Sequence, residues 1–149
     1  MERCLHFYRD LMGLTLIAEG HGEPGNTSFE TVVGLRGAHV HGAALRAGNV
    51  QIEVFQYKFP LPAAGLPAQP YDVGIRHICF DVTDIRKEYE RLKSAGVEFI
   101  SEPQTMGNHR VMAVYARDPD SNIVELQEIF PGSRVDKSHI RGLQDTTAA

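Results

Sequence analysis

The sequence predicts an α+β fold built from two paired βαβββ modules, the first of which lacks its leading strand. Three observations predict this fold. Several short segments alternate between apolar and polar residues, as β-strands do. Two segments carry apolar residues at helical spacing and end at glycine. The order helix, glycine, three strands then occurs twice within the 149 residues.

The first module opens on a helix, with an apolar stripe of Leu5, Tyr8 and Leu11 that ends at Gly13. No strand signal stands before this helix. The remaining elements of the module are a strand at 14–17, a short helix near 27–33 that stops at Gly34, and strands at 38–47 and 50–57 on either side of Gly48 and Asn49.

The second module reads strand, helix, strand, strand, strand. Its helix is predicted from the helical spacing of Ile85, Tyr89 and Leu92, with Asp84 as a cap at its start and Gly96 at its end. The strands are expected at 75–82, 97–101, 110–117 and 122–129, and the last two are separated by the turn sequence Asp-Pro-Asp-Ser at 118–121.

These elements predict one domain over residues 1–130, with module one at 1–57 and module two at 74–130. The segment 58–73 contains four prolines and is interpreted as a linker. Residues 131–149 are expected to form a C-terminal tail that adds little to the core and is partly disordered.

Composition excludes several classes of partner. The net charge of −4 gives no basic surface for nucleic acid or an anionic membrane, and no apolar run reaches transmembrane length. The two cysteines, Cys4 and Cys79, form no disulfide framework, so a reducing cytoplasm is the expected location. Cys79 is interpreted as a small core residue.

Three polar residues stand midway along predicted strands: Glu53, His77 and Glu125. A carboxylate among Ile and Val in a strand is costly unless something pairs with it. A shared divalent metal ion would neutralise both carboxylates. Taken singly, a strand His or Glu is more often a surface or satisfied core residue. Together, at matching points of a repeat, the three predict a metal site.

Other polar residues have weaker claims. His39 and His41 alternate on one strand face and are interpreted as surface or pocket-wall residues. Arg46, Arg110 and Tyr115 are possible substrate contacts, although a solvated strand face explains them equally well.

The chain resembles the vicinal oxygen chelate superfamily, which includes glyoxalase I, methylmalonyl-CoA epimerase, extradiol dioxygenases and the bleomycin and fosfomycin resistance proteins. The resemblance lies in residues 7–14, 74–78 and 118–126 and in their order and spacing. It implies metal ligands on the first and last strands of each module. That order maps onto Glu53, His77 and Glu125, and the fourth ligand belongs on the strand that this sequence lacks.

Two explanations of the missing strand stay open. In the first, Met1 is an internal methionine of a longer chain whose preceding strand carries a His ligand. In the second, three protein ligands and water complete the site, or a partner chain supplies the strand. An unpaired sheet edge favours pairing with another chain, so a homodimer is expected.

The resemblance also implies chemistry. Two carboxylates and an imidazole suit Zn²⁺, Ni²⁺, Co²⁺, Mn²⁺ or Fe²⁺. Such an ion would act as a Lewis acid on a small substrate with adjacent oxygens, through an enediolate or enolate, while Glu125 and Glu53 move the proton.

The substrate stays open. A lyase or isomerase of the glyoxalase I type fits the ligand order, and an epimerase of a 2-substituted malonyl thioester is the alternative. A dioxygenase fits less well, because the extradiol enzymes take no ligand at the position of Glu53. A metal-free drug-binding protein of the bleomycin-resistance type remains a further possibility.

Overall fold

Two α+β units make up the computed structural model, which describes residues 1–63, 65 and 67–135. The first unit spans Met1–Leu66 and the second Pro67–Ala149. In each unit the described strands form one hydrogen-bonded sheet. The predicted α+β class with two related modules is confirmed, whereas the assignment of residues 1–130 to a single domain stays a prediction. The predicted tail lies largely outside the described residues, because 136–149 are not among them.

The first unit begins with a helix and contains an antiparallel sheet in the order β1-β2-β3. Its elements are α1 (Glu2–Leu5), a π-helix that continues it (His6–Leu11), β1 (Thr15–Gly22), α2 (Thr27–Val33), β2 (His39–Ala47) and β3 (Val50–Phe59). The module therefore has the predicted order, with no strand before its first helix in this sequence.

The core of the first unit consists of the apolar helix stripe and one face of β2. Leu5, Phe7 and Tyr8 are buried, as are Ala43 and Leu45. Burying a side chain the size of leucine or phenylalanine contributes about 1.5–3 kcal/mol. Because strand side chains alternate, the face of the sheet opposite Ala43 and Leu45 is free to carry other groups.

The second unit has the complete βαβββ order with one additional short strand. Its elements are β4 (His77–Asp81), α3 (Ile85–Ser94), β5 (Glu98–Phe99), β6 (Gln104–Met106), β7 (Val111–Arg117) and β8 (Ile123–Ile129). The sheet order is β4-β8-β7-β5, with β6 also paired to β7. Strand β4 runs parallel to β8, and the other pairs are antiparallel.

Helix α3 begins and ends where the sequence predicts. The Asp84 side chain accepts a hydrogen bond from the Lys87 N–H at 3.2 Å, and the Glu128 carboxylate accepts one from the Ile85 N–H at 3.0 Å. Two of the free N–H groups of the first turn are thereby satisfied. Past the last turn, Gly96 adopts φ +89°, a conformation that a glycine reaches without strain.

Because side chains alternate along its strands, the sheet of the second unit has one apolar face toward α3 and one polar face. Ile85, Tyr89 and Leu92 of α3 are buried, as are Val124 and Leu126 of β8. Glu125 stands between Val124 and Leu126 and so points to the opposite face. The turn before β8 is organised by the buried Asp118, whose carboxylate accepts hydrogen bonds from the Asp120 and Asn122 N–H groups and from the Asn122 side chain.

Several details differ from the sequence predictions. The predicted strand 97–101 is limited to β5 (Glu98–Phe99), and β3 extends to Phe59, within the segment predicted as a linker, because Phe59 pairs with His39.

Strand β1 extends to Gly22 because residues 18–22 pair with β2, although their own sequence shows no strand pattern. Strand β6 was not predicted, because its three residues become a strand by pairing with β7. The second half of the first helix is π-helical. Strand β4 begins at His77, where its parallel pairing with β8 begins, rather than at residue 75.

No helix among the described residues combines the length and the apolar character needed to cross a membrane.

Candidate functional site

His77 and Glu125 lie side by side on the polar face of the second sheet. The His77 Nε2 atom is 3.0 Å from the Glu125 Oε2 atom. Parallel pairing places His77 opposite Ile123 and Cys79 opposite Glu125, so the histidine reaches across to the carboxylate from the neighbouring strand. The Glu125 side chain is 13% exposed and that of His77 is 38% exposed. Solvent therefore reaches this pair mainly from the histidine side.

Cys79 and Tyr115 complete the surroundings of Glu125. The Cys79 thiol is hydrogen-bonded to the Glu125 carboxylate; desolvation of the sulfur and the nearby negative charge raise the pKa of this thiol to about 12. Tyr115 is the cross-strand partner of Glu125 on β7, and its ring centroid lies 5.2 Å from that of His77. Desolvation, followed by the charge of Glu125, also raises the pKa of Tyr115.

The interpretation of Cys79 as a core residue was wrong. The residue is exposed because β4 presents it on the polar face rather than on the face covered by α3. Its strand position, two residues after His77, was a signal in the sequence that could have identified it as a neighbour of the site.

Glu53 lies on β3 in the first unit, opposite Ala44 on β2. It is exposed, and its Oε1 atom accepts a hydrogen bond from the Gln51 side chain at 3.0 Å. Its register makes it the counterpart of Glu125, because each is a carboxylate in the last strand of its module, paired with a residue of the strand before. The prediction that Glu53 joins His77 and Glu125 in one site stays a prediction.

A cavity of about 340 Å³ lies along the first sheet beside Glu53. Phe29 of α2 and Phe55 of β3 form its aromatic sides, and Gly20 and Gly42 are part of its floor. Phe55 shares a strand face with Glu53, as the alternation of β3 predicted, whereas the contribution of Phe29 depends on where α2 packs. Sequence reasoning missed this cavity.

The donor atoms of the second unit fit part of a metal site. The 3.0 Å between His77 Nε2 and Glu125 Oε2 is a hydrogen-bond distance, and imidazole nitrogen and carboxylate oxygen are both atom types that bind divalent metal ions. Within either unit, the described residues contain no group of three or more His, Cys, Asp or Glu side chains placed to hold a metal ion. The imidazole and carboxylate supply two ligands, and a complete site needs at least one more.

The other polar residues singled out in the sequence have structural partners or stand at the surface. His41 Nε2 lies 2.8 Å from a Glu19 carboxylate oxygen and its ring stacks on His21, while His39 Nε2 is 3.6 Å from Glu23. Strand pairing puts His41 opposite Gln56, on the face that does not carry Glu53.

Of the two arginines suggested as substrate contacts, one has a structural partner and the other stands at the surface. The guanidinium of Arg110 donates to the Pro131 carbonyl at 2.5 Å, which gives it a structural role at the end of β8. Arg46 is exposed and stands two residues from Ala44, on the same face as Glu53. Of the possible substrate contacts, Tyr115 is the one that the structure places beside a candidate ligand.

The model of the Glyoxalase/Bleomycin resistance protein/Dioxygenase superfamily matches residues 1–126. The uncharacterized protein YaeR of Escherichia coli (strain K12) is 30% identical over 125 residues, which are 82% of each chain. Biphenyl-2,3-diol 1,2-dioxygenase 3 of Rhodococcus globerulus is 34% identical over 95 residues, or 60% of this chain and 48% of the dioxygenase.

A solved glyoxalase family protein from Bacillus cereus has the same fold, with a TM-score of 0.77 and 23% identity, and the match covers 87% of both chains.

Proposed function

This chain belongs to the Glyoxalase/Bleomycin resistance protein/Dioxygenase superfamily, and we propose that it is a divalent-metal-dependent lyase or isomerase of the glyoxalase I type. The proposed substrate is a small molecule with two adjacent oxygens, one of them a carbonyl. The observation that carries this proposal is the contact between His77 Nε2 and Glu125 Oε2 at 3.0 Å, in the middle of a sheet face and open to solvent on one side.

The proposed metal ligands are Glu53, His77 and Glu125. Their mixture of carboxylate and imidazole suits Zn²⁺, Ni²⁺, Co²⁺, Mn²⁺ or Fe²⁺. A bound ion would supply Lewis-acid stabilisation of negative charge on the substrate oxygens. The adjacent placement of the two donors in the second unit supports a shared ion, and the place of Glu53 in the set rests on its counterpart position in the repeat.

Glu125 is the proposed base. It can accept a proton from the carbon next to the substrate carbonyl, because its carboxylate lies on the polar face of the sheet and solvent reaches it from the His77 side. The neighbouring Cys79 thiol donates to that carboxylate and orients it. Tyr115, whose ring centroid lies 5.2 Å from that of His77, is proposed as a contact for a substrate oxygen.

Two alternatives use the same residues. Epimerisation of a 2-substituted malonyl thioester needs the same proton transfer, with Glu53 returning the proton from the other face. The similarity to a biphenyl-2,3-diol 1,2-dioxygenase favours ring cleavage of a catechol as a second candidate. A drug-binding protein without catalysis is the remaining class. A homodimer and a cytoplasmic location stay predictions.

A proton-exchange experiment distinguishes the proposed lyase, isomerase or epimerase from a dioxygenase or a binding protein. Metal-loaded protein is incubated in deuterium oxide with hydroxyacetone or a 2-substituted malonyl thioester, and incorporation of deuterium next to the carbonyl is followed by NMR. We expect metal-dependent exchange that falls at least 100-fold in Glu125→Gln, because the amide keeps the shape of the side chain but cannot act as a base.

The control is Glu23→Gln, a carboxylate of the first unit outside the proposed site, which should exchange at the wild-type rate. Undiminished exchange in Glu125→Gln would remove this residue from the base role. Absence of exchange with every such substrate, together with oxygen-dependent cleavage of a catechol, would establish the dioxygenase instead.

A further inference from the structure

The cavity of the first unit has aromatic sides and a floor of glycines beside the small side chains of Val40 and Ala44. Its floor includes Gly20 and Gly42, which are cross-strand partners, and the Phe55 ring lies over Gly42 in the same row. A Cβ atom on Gly42 would come within 2.8 Å of the Phe55 Cε1 atom. The ring can therefore lie flat along the sheet only because Gly42 has no side chain.

The second aromatic side comes from α2. Phe29 lies with its ring centroid 6.2 Å from that of Phe55, at an angle of 48°. A Cβ atom on Gly22 would contact the Phe29 ring at 3.6 Å. The glycines thus let the two rings lie close to the sheet and pack on each other, and their free surfaces suit contact with a flat apolar group. At about 340 Å³ the cavity is at the small end of ligand sites.

The charged residues around the cavity further restrict which chemical groups can bind in it. The charged side chain that faces the cavity is Glu53, and none of the described residues that line it is Lys or Arg. Glu19 and His21 also border the cavity, but the Glu19 carboxylate lies 2.8 Å from His41 Nε2 and the His21 ring stacks on His41, on the sheet face that does not carry Glu53. A phosphate or carboxylate seated here would be desolvated beside the Glu53 carboxylate, with no Lys or Arg among the described lining residues to pair with it, which is unfavourable. The group that enters the cavity is therefore uncharged.

Strand geometry fixes how near this group stands to Glu53. The rows that hold Phe55 and Glu53 are two residues apart, about 7 Å along the strand. A ring that contacts Phe55 can thus be joined directly to the carbon that bears an oxygen near Glu53. A long linker between ring and oxygens would overshoot the cavity.

We infer that the cavity lined by Phe29 and Phe55 binds the side group of the substrate, and that this group is an uncharged aryl or similarly flat apolar group attached directly to the pair of adjacent oxygen-bearing carbons. This inference rests on the proposed function for the role of Glu53, whereas the shape of the cavity stands without it. The substrate class is an aryl α-hydroxyketone or the equivalent adduct of an aryl α-ketoaldehyde.

Three probes with the same oxygens test the inference. Hydroxyacetone carries a methyl group, 2-hydroxyacetophenone carries a phenyl ring, and 4-(hydroxyacetyl)benzoic acid carries the ring with an anionic group. Binding to the full chain is measured by NMR chemical-shift titration after treatment with EDTA, and again with Zn²⁺, which is diamagnetic. We expect the phenyl ketone to bind about tenfold more tightly than the methyl ketone in both states, since burial of the ring does not need the metal. The carboxylated probe should lose this advantage.

Variants localise the effect. Phe55→Ala and Phe29→Ala should each reduce the phenyl preference by about fivefold. Phe55 is 42% exposed, so its truncation removes no core packing. The matched control is Val32→Ala, on the same helix as Phe29 but 84% exposed and outside the cavity, which should keep the wild-type preference.

Equal binding of the methyl and phenyl ketones, or a phenyl preference that both phenylalanine variants retain, would overturn the inference. These results are separable from the test of the proposed function. The phenyl preference of the EDTA-treated protein reports the cavity, whereas the metal-dependent exchange lost in Glu125→Gln reports the reaction. A preference without exchange would refute the enzyme and leave the cavity assignment standing.

Discussion

At the scale of the residue, Glu125 shows how a carboxylate is accommodated in the middle of a sheet. Its neighbours in the strand are the buried Val124 and Leu126, and an unpartnered charge there would be strongly unfavourable. His77 contacts its carboxylate at 3.0 Å and the Cys79 thiol is hydrogen-bonded to it. The same contacts that make the charge tolerable also hold the carboxylate in one orientation, which a catalytic base requires.

The rate at which the Cys79 thiol is alkylated reports on its interaction with the Glu125 carboxylate. With a pKa of about 12, only about one Cys79 thiol in ten thousand is ionised at pH 8, so alkylation by iodoacetamide should be slow. Glu125→Gln removes the negative charge that helps to raise this pKa, so we expect the pKa to fall and alkylation to accelerate several-fold. Mass spectrometry at pH 8 gives the rate. Cys4 is 5% exposed and should stay unlabelled; an unchanged rate for Cys79 would mean that the two groups do not interact.

At the scale of the element, α3 shows a helix whose start is fixed by a strained residue. Asp84 has φ +59°, in the left-handed region, where asparagine and aspartate are tolerated better than most residues. From this position its carboxylate accepts the Lys87 N–H. The cap therefore depends on a side chain that satisfies two conditions together, a short acceptor and tolerance of positive φ.

Substitutions at Asp84 test the two conditions, the capping acceptor and the tolerance of positive φ. Asp84→Ala loses the capping acceptor, which costs about 1 kcal/mol, and places alanine in a left-handed conformation, which costs about 1 kcal/mol more. We therefore expect a loss of about 2 kcal/mol in the free energy of unfolding. Asp84→Asn keeps both features and should cost less than about 0.5 kcal/mol. Urea denaturation followed by circular dichroism measures both.

The exposed Glu90→Ala in the same helix provides the baseline, expected to stay within about 0.5 kcal/mol of the wild type. Equal losses for Asp84→Ala and Asp84→Asn would show that the cap does not act through its acceptor.

At the scale of the whole molecule, the two units repeat one order of elements but carry different side chains at matching positions. Ala44 pairs with Glu53 in the first unit where Tyr115 pairs with Glu125 in the second. The small residue leaves room beside Glu53 for a cavity, and the large one encloses Glu125. In the second unit β4 also pairs with the outer edge of β8, whereas no described strand pairs with the corresponding edge of β3.

Metal titration tests whether both modules serve one site. A ligand present at 100 times its dissociation constant stabilises the folded state by about 2.7 kcal/mol, so Mn²⁺ or Ni²⁺ should raise the melting temperature of EDTA-treated protein. We expect His77→Gln and Glu53→Gln to weaken metal affinity to a similar extent, at least tenfold, if the two residues share an ion. Glu23→Gln should bind as the wild type does. Wild-type affinity in Glu53→Gln would exclude this residue from the ligand set.

Much of the architecture follows from local signals in the sequence. The helix over Ile85–Ser94 and the strands β3, β7 and β8 lie where capping residues, glycines and alternation predicted them. The short helix Thr27–Val33 begins after the predicted loop and ends at Gly34, which adopts φ +69°. These features depend on interactions within a few residues, so a reader of the sequence can recognise them.

The sequence by itself determined the repeated order of elements and the strand faces on which Glu53, His77 and Glu125 stand, because alternation is a property of the local backbone. Only the tertiary structure decided that His77 reaches Glu125, that Cys79 and Tyr115 surround that carboxylate, and that Phe29 packs beside Phe55 in the lining of the cavity. Those contacts join residues far apart in sequence, and they depend on sheet register and helix packing that no local pattern specifies.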